Sequence, residues 1–335
     1  MRPTVSGLRA LRGAALAATI LTAASGCDKP IALLTGRSDA AASAPAEPSD
    51  TLDISARPRM LYQVFGERSD PRLLPVAALT DGVVRPLVLS DAGWQQFDQL
   101  YHKPGTVYTL YRDGRPNGTA RVVRPMWDER EGALYSLPHC ARPTPLAAAR
   151  VKAPPPLGYM VEFLATDAAL PTSPRRAVHA AGDADPLVAA RRIAAAAVEG
   201  FGMPLSSLEG LDLELSTVAA GTGDSPTLVI SLMDPTSELA ESDTTYGVHV
   251  FAIADRVGGE YIPTYARVVP ANAPGQYRRY VDHLDLTGDG IDELVLEGWT
   301  GGQESSMLIL QFQRNRWAEV FRGRSNWCLD ERQER

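Results

Sequence analysis

Oxygen-bearing side chains recur at alternate positions in one glycine-containing segment near the carboxyl end of the chain. They belong to Asp285, Thr287, Asp289 and Glu293. Hard cations such as Ca²⁺ bind several oxygen atoms at about 2.3–2.6 Å, and a tight loop with this spacing can supply them. The backbone carbonyl of Ile291 completes the predicted ligand set. The alternative is a turn in which Asp285 and Asp289 accept hydrogen bonds from backbone N–H groups and no ion binds.

The same segment, residues 285–294, reads Asp-Leu-Thr-Gly-Asp-Gly-Ile-Asp-Glu-Leu. It resembles the FG-GAP or VCBS-type repeat, whose pattern is roughly D-x-[DN]-x-D-G-x-x-[DE]-[LI]. The resemblance implies a structural calcium-type loop within residues 282–298 and strands like those of a propeller blade around it. Thr287 departs from the usual Asp or Asn and weakens the predicted site. Complete propellers repeat the motif in several blades, so a single motif predicts a blade-like meander and not a complete propeller.

The amino terminus has the composition of a secretory leader. Three arginines precede an uncharged, mostly apolar run at residues 14–24, which is shorter than the roughly 20 residues that span a bilayer. Small residues directly precede Cys27, and this arrangement resembles the lipobox of bacterial lipoproteins. The resemblance implies that residues 1–26 are removed and that lipid on Cys27 anchors the chain to a membrane. An ordinary signal peptide cut near Ala24 is the alternative.

These features predict a protein of the bacterial cell envelope that faces the periplasm. Asp28 resembles the inner-membrane retention signal of enteric lipoproteins. Residues 27–58 are rich in Ala, Ser, Pro and Asp and lack periodicity, so they predict a flexible tether. An oxidising compartment favours a disulfide between the two remaining cysteines, Cys140 and Cys328, and two separately buried thiols are the alternative.

The charge of the chain limits its main partners. The net charge is −7, and removal of the leader would leave 30 basic against 40 acidic residues. Nucleic acid and anionic lipid headgroups both require basic surfaces, so this balance argues against either one as the main partner. The partners that we predict are a membrane, through the amino-terminal lipid, and an unidentified protein or glycan.

The pattern of strands and helices predicts an α+β fold. A hairpin with an Asp81-Gly82 turn and a helix after Ser90 form a mixed first block, and most later segments read as strands. The predicted divisions are a leader at 1–26, a tether at 27–58, an α+β block at 59–142, a proline-rich linker at 143–157, a β-rich block at 158–328 and a charged tail at 329–335.

Motifs for catalysis are not found in the sequence. The nucleophile elbow, the S-x-x-K pair, the H-E-x-x-H zinc motif and the phosphate-binding P-loop are all missing. This favours a non-enzymatic binding or scaffold module. The alternative is an envelope hydrolase or carbohydrate-processing protein whose site matches none of these patterns.

Overall fold

The computed structural model describes residues 52–134, 146–154, 158–170, 185–234, 247–271, 276–299 and 305–324. In these ranges the chain forms seventeen β-strands and two α-helices, so the protein is mostly β. The predicted α+β class, with its mixed hairpin and helix block, is therefore wrong. Neither helix in these ranges has the length and the apolar composition needed to cross a membrane.

The first half of the described chain is a closed antiparallel barrel of six strands. Its strands and their neighbours are β1 (Arg59–Glu67), β2 (Arg72–Thr80), β3 (Val83–Pro86), β4 (Val107–Arg112), β5 (Arg115–Arg124), β6 (Trp127–Asp128), β7 (Ala133–Leu134), β8 (Ala147–Lys152) and β9 (Met160–Thr166). The order around the barrel is β1-β9-β4-β5-β8-β2, and pairing of β1 with β2 closes the ring. Strand β3 pairs with the end of β2, and β6 pairs with β7 as a separate hairpin.

The alternation of side chains along each strand decides which residues fill the barrel. In β1, Met60 and Tyr62 lie in a core cluster to which all six barrel strands contribute, whereas Leu61 between them lies in a second cluster on the outer side. Successive side chains of a strand point to opposite faces, so one strand serves both cores. The barrel therefore has a packed interior and also an apolar outer face.

The first helix packs against the barrel core. Helix α1 (Asp91–Tyr101) begins after Ser90, whose Oγ accepts a hydrogen bond from the backbone N–H of Gly93 at 3.2 Å. Phe97 and Tyr101 on this helix are buried in the barrel core, as expected for aromatic residues four positions apart on one helical face. The helix is thus an addition to a β-barrel and does not make the block α+β.

The predicted proline-rich linker, residues 143–157, contains barrel strand β8. Ala147 and Ala149 on this strand are buried and belong to the barrel core. Strand β9, which falls in the predicted β-rich block, pairs with β1 and β4 and belongs to the barrel as well. The prolines on either side of β8 led to the prediction of a linker, but the strand between them pairs with β2 and β5 of the barrel.

The second half contains two antiparallel sheets of four strands each. Their strands are β10 (Asp212–Val218), β11 (Thr227–Met233), β12 (His249–Val257), β13 (Glu260–Val269), β14 (Tyr277–Leu284), β15 (Glu293–Trp299), β16 (Ser305–Gln313) and β17 (Arg316–Arg324). Helix α2 (Pro186–Gly200) precedes them, and the side chain of Asp185 accepts the N–H of Leu187 at 2.9 Å to cap its first turn. Each sheet pairs only strands that are consecutive in the chain.

The elements stack in four layers: the barrel, the sheet β14–β17, the sheet β10–β13 and helix α2. Val295 faces the outer side of the barrel, and its neighbour Leu294 faces the other sheet. In the second sheet, Phe251 faces β14–β17, whereas Ile230 packs against Ile193 of α2. The sheet β14–β17 is therefore covered on both faces, which places the loop between β14 and β15 at the junction of the layers.

Candidate functional site

The acidic loop, residues 285–292, connects β14 to β15 and folds around the side chain of Asp285. Its two carboxylate oxygens accept hydrogen bonds from the backbone N–H groups of Gly288 at 2.7 Å and Gly290 at 3.2 Å. Both glycines have left-handed φ values, 80° and 88°, which residues with a Cβ rarely adopt. Asp285 is buried, so these hydrogen bonds replace the water that its carboxylate would otherwise bind.

Glu293, the first residue of β15, closes the loop from the other side. Its carboxylate accepts hydrogen bonds from the N–H of Leu286 at 2.8 Å, from the N–H of Thr287 at 3.3 Å and from the Thr287 hydroxyl at 2.9 Å. Burial raises the pKa of Glu293 to about 7. The negative charges of Asp289 and Asp285 raise the pKa further, while the hydrogen bonds oppose this shift.

The remaining predicted ligands lie at the outer part of the loop. Asp289 is exposed, and one of its carboxylate oxygens accepts the N–H of Ile291 at 2.8 Å. Asp292, which was not in the predicted ligand set, is buried and lies 3.6 Å from the Nε2 of His283 on β14. The predicted residues thus share one loop, but their side chains do not all point to one place.

The chemistry of these donors suits a hard cation, because carboxylate, hydroxyl and carbonyl oxygens are the ligands that Ca²⁺ prefers. In the arrangement seen, Asp285, Asp289 and Glu293 each accept hydrogen bonds from the loop's own backbone. Among the residues that the structure describes, no three acidic, histidine or cysteine side chains form a group that could hold a metal ion. The geometry matches the alternative of a self-capped turn, and calcium binding stays a prediction.

Two hairpin turns from other layers hold the acidic loop in place. A Cβ added to Gly82, in the β2–β3 turn of the barrel, would lie 3.1 Å from the carbonyl oxygen of Thr287. A Cβ added to Gly221, between β10 and β11, would lie 2.8 Å from the carbonyl oxygen of Gly290. On the same side the N–H of Asp292 donates to the carbonyl of Ala220 at 2.8 Å. The acidic loop therefore joins the barrel to both sheets.

A cleft of about 490 Å³ lies where the loop meets the barrel. Charged residues of both signs line it: Arg57, Arg59, Asp81, Asp167 and Asp285. Burial raises the pKa of Asp167, although its carboxylate accepts the N–H of Met60 at 2.9 Å. The Nε of Arg59 is buried and has no hydrogen-bond partner in the structure. A ligand with both acidic and basic groups would find complementary charges in this cleft.

Sequence reasoning finds one wall of this cleft and misses the other. Asp285 and Thr287 belong to the predicted loop, whereas Arg59 and Asp167 come from β1 and from the segment after β9. No motif connects two residues that lie more than a hundred positions apart. The left-handed backbone of Arg57, with φ 52°, is a local sign of a special position, but only the structure reveals it.

Three predicted modification residues lie outside the described ranges. Cys27, the predicted lipidation site, precedes the first range. Of the predicted disulfide pair, Cys140 lies between two described ranges and Cys328 lies after the last one. Comparison of the chain with protein-family models, with curated proteins and with solved structures found no match.

Proposed function

We propose that this chain is a non-enzymatic module of the bacterial cell envelope, anchored by lipid on Cys27, that binds a protein or glycan partner in the charged cleft. The observation that carries this proposal is the composition of the cleft. Two arginines and three aspartates line it, so it presents charges of both signs. Charges of opposite sign side by side are suited to recognition of a polar partner.

The buried side of the cleft supports binding because one of its polar groups, Asp167, is already fixed. Asp167 is held by the N–H of Met60, and Arg59 extends from the start of β1 in a closed barrel. Side chains that are fixed before binding lose little conformational entropy when a ligand arrives. The acidic loop supplies Asp285 from the opposite side, so the cleft lies across the boundary between two layers.

The test of cleft binding uses a photo-crosslinking amino acid in place of the exposed Asp81, with Glu209 as the matched exposed position that does not line the cleft. We expect a discrete crosslinked partner from position 81 in whole cells and none from position 209. Adding Arg59→Gln should reduce the yield at least tenfold. Equal crosslinking from both positions would contradict the proposal.

The lipid anchor is tested separately. Mass spectrometry of the mature amino terminus should find an acyl group on Cys27 in the wild type and none in the Cys27→Ser protein. An unacylated mature terminus would reject the anchor without affecting the cleft experiment. Free-thiol labelling of the denatured, unreduced protein likewise tests the Cys140–Cys328 disulfide, since two labelled thiols per chain would exclude it.

The alternative function, a carbohydrate-processing hydrolase, is favoured by one observation. The cleft brings Asp167, whose pKa burial raises, to the same surface as Asp81 and Asp285. Glycosidases use one carboxyl group held protonated and a second that is ionised. Incubation of purified envelope glycans with the wild type and with Asp167→Asn decides between the two: release of reducing ends by the wild type alone would establish the enzyme.

A further inference from the structure

The register of the barrel gathers basic residues from separate parts of the sequence onto one outer face. Arg121 on β5 pairs directly with Arg150 on β8, and Thr119 pairs with Lys152 one row further along. Directly paired residues of antiparallel strands place their side chains on the same face of a sheet. Lys103 lies nearby, because the guanidinium of Arg121 donates to the carbonyl of Gly105 at 3.0 Å.

This basic face consists of Lys103, Arg121, Arg150 and Lys152, all of them exposed. Strands β4, β5 and β8, which form the surface around it, contain no aspartate or glutamate. In the described part of the chain, none of these four residues forms a salt bridge. At the neighbouring edge, Asp70 is already paired with Arg72. The face is therefore strongly positive in a chain whose net charge is −7.

The pairing of Arg121 with Arg150 is unfavourable for the isolated protein. Like charges at directly opposite positions of a sheet repel each other, and an acid at either position would remove the repulsion. A negatively charged partner would have the same effect and would gain binding energy from it. The basic face is thus arranged for an anionic partner and not for the stability of the barrel.

Two exposed valines favour a lipid surface over a soluble anion. Val107 pairs with Arg121 on the same outer face and is 41% exposed, and Val123 lies two residues beyond Arg121 and is 47% exposed. Proteins that lie on membranes combine basic side chains, which attract anionic headgroups, with apolar side chains that enter the interface. The basic face has both kinds of residue in adjacent rows.

The position of the tether agrees with this assignment. The hydroxyl of Tyr101 donates to the carbonyl of Pro58 at 2.8 Å, so the end of the predicted tether contacts the last residue of α1, which belongs to the same barrel as the basic face. The position of the tether is relevant only if Cys27 carries the proposed lipid, whereas the charge of the basic face and its exposed valines are independent of the anchor. A single lipid signal is often supplemented by a basic surface that holds the protein against the bilayer.

We propose that the basic face docks the barrel onto the surface of an anionic phospholipid bilayer. The net charge of the whole chain argues against such a partner, but net charge averages over surfaces that the fold keeps apart. Each basic residue near an anionic membrane strengthens binding about fivefold, so three residues contribute on the order of a hundredfold. Docking would orient the charged cleft relative to the membrane and limit which partners reach it.

The experiment measures co-sedimentation of the full chain carrying Cys27→Ser, so that no lipid can be attached. The vesicles are pure phosphatidylcholine, or phosphatidylcholine with about one-third phosphatidylglycerol. The leader and its three arginines are the same in every protein compared, so the difference between the test variant and the control reports the basic face. The test variant is Arg121→Gln, Arg150→Gln, Lys152→Gln. The control, Arg191→Gln, Arg314→Gln, Arg316→Gln, removes the same charge from exposed positions on α2 and the β16–β17 hairpin.

We expect the Cys27→Ser protein to prefer anionic vesicles and to lose this preference as salt rises. The ratio of binding to anionic vesicles over neutral vesicles should fall about a hundredfold in the basic-face variant and less than about fivefold in the control. No preference for anionic vesicles, or equal losses in both variants, would overturn the proposal. Binding to a soluble sulfated polysaccharide without binding to anionic vesicles would overturn it as well, because the partner would then be a polyanionic glycan. Failure of lipidation at Cys27 leaves this experiment unaffected.

Discussion

The barrel and the two-sheet half, strands β10–β17, are held together in different ways. The barrel is closed, so the backbone pairing of its strands leaves no open edge in the ring, and its interior is filled with aromatic residues such as Tyr62 and Tyr108, whose rings are 4.7 Å apart. The two sheets are open, and the cluster between them is mainly aliphatic, with Phe251 and Trp317 among its buried members. Buried polar residues connect the two sheets, and Asp255 is the clearest case.

Asp255 accepts hydrogen bonds from neutral donors in both sheets. They come from the hydroxyls of Thr222 at 2.8 Å and Thr227 at 2.6 Å, from the hydroxyl of Thr264, and from the Nε1 of Trp317 at 2.9 Å. Because Trp317 belongs to the other sheet, one buried carboxylate fixes how the sheets align. Closure determines the geometry of the barrel, whereas the sheet stack depends on a few specific contacts.

Ion pairs and hydrogen bonds join the two regions to each other. The Nη1 of Arg279 on β14 donates to Glu162 of the barrel at 2.9 Å, and its Nε donates to Glu297 on β15 at 2.7 Å. Hydrogen bonds and the charge of Arg279 lower the pKa of Glu162 against the opposing effect of burial. The barrel is thus attached by polar contacts around an apolar interface and has its own separate core.

The largest effect is expected from Phe97→Ala in the barrel. Phe97 is fully buried, and its ring centroid lies 4.7 Å from that of Tyr101 and 5.3 Å from that of His102. Truncation leaves a cavity that a closed barrel cannot readily fill, so the free energy of unfolding should fall by about 3–5 kcal/mol. Urea denaturation followed by circular dichroism measures it, with the exposed Val107→Ala as control. A loss below about 1 kcal/mol would contradict the packing described.

The next largest effect is expected from Asp255→Ala in the two-sheet half. Removing the carboxylate leaves buried donors on Thr227 and Trp317 without an acceptor, at a cost of about 3 kcal/mol. Asp212→Ala, at an exposed position of β10, should change stability by less than about 0.5 kcal/mol. Near-ultraviolet circular dichroism should also show that Trp317 loses its fixed environment. Equal free energies of unfolding for Asp255→Ala and Asp212→Ala would show that the two-sheet half does not depend on the contacts of Asp255.

The barrel and the two-sheet half each bury a histidine, and protonation of these histidines should destabilise the folded protein at acidic pH. Burial lowers the pKa of His249 in the sheets to about 4, and nearby arginines, Arg278 first, add to this. Burial also lowers the pKa of His102 in the barrel, but Asp98 opposes the shift through a hydrogen bond and its charge. The unfolded chain binds a proton at about pH 6.5 and the folded chain only near pH 4, so His249 should destabilise the protein as pH falls through this window.

At pH 5 the contribution of His249 should be about 2 kcal/mol relative to pH 7. The measurement compares the free energy of unfolding of the wild type and of His249→Gln at pH 7 and pH 5, and the difference between the two proteins isolates this residue. His249→Gln should lose less stability on acidification than the wild type. An identical loss in both would show that His249 accepts a proton in the folded state.

Local features of the fold could be predicted from the sequence because they depend on residues a few positions apart. The Asp81-Gly82 turn between β2 and β3 and the cap of α1 by Ser90 both occur as predicted. Each requires a particular side chain or backbone conformation at one position. The acidic loop belongs to the same class, since the hydrogen bonds that its carboxylates accept join residues within eight positions of one another.

Barrel closure and the cleft could not be predicted, because both depend on contacts between distant residues. Strand β1 pairs with β9 about a hundred positions away, and nothing in either strand specifies that partner. The α+β interpretation followed from a helix and a hairpin that both occur, but the strands were not known to belong to a closed ring. The basic face was hidden for the same reason, since Arg121 and Arg150 become neighbours only through the pairing of β5 with β8.

The smallest effect concerns calcium at the acidic loop, where the sequence and the observed hydrogen bonds lead to different expectations. Asp285 and Asp289 raise the pKa of Glu293, so a cation placed among them would relieve repulsion. On the sequence prediction, a weak site at about ten times its Kd adds roughly 1 kcal/mol of stability and raises Tm by about 2–4 °C in millimolar calcium relative to chelator.

This shift should be lost in Asp289→Ala, because its exposed carboxylate is the predicted ligand whose removal disturbs the fewest buried contacts. Differential scanning calorimetry of the two proteins, each in calcium and in chelator, makes the comparison. Magnesium at the same concentration controls for general screening, since Mg²⁺ demands a tighter octahedral site than this loop offers. If the wild type melts at the same temperature in calcium and in chelator, the loop is a turn capped by its own carboxylates. Its role is then to join the barrel to both sheets without an ion.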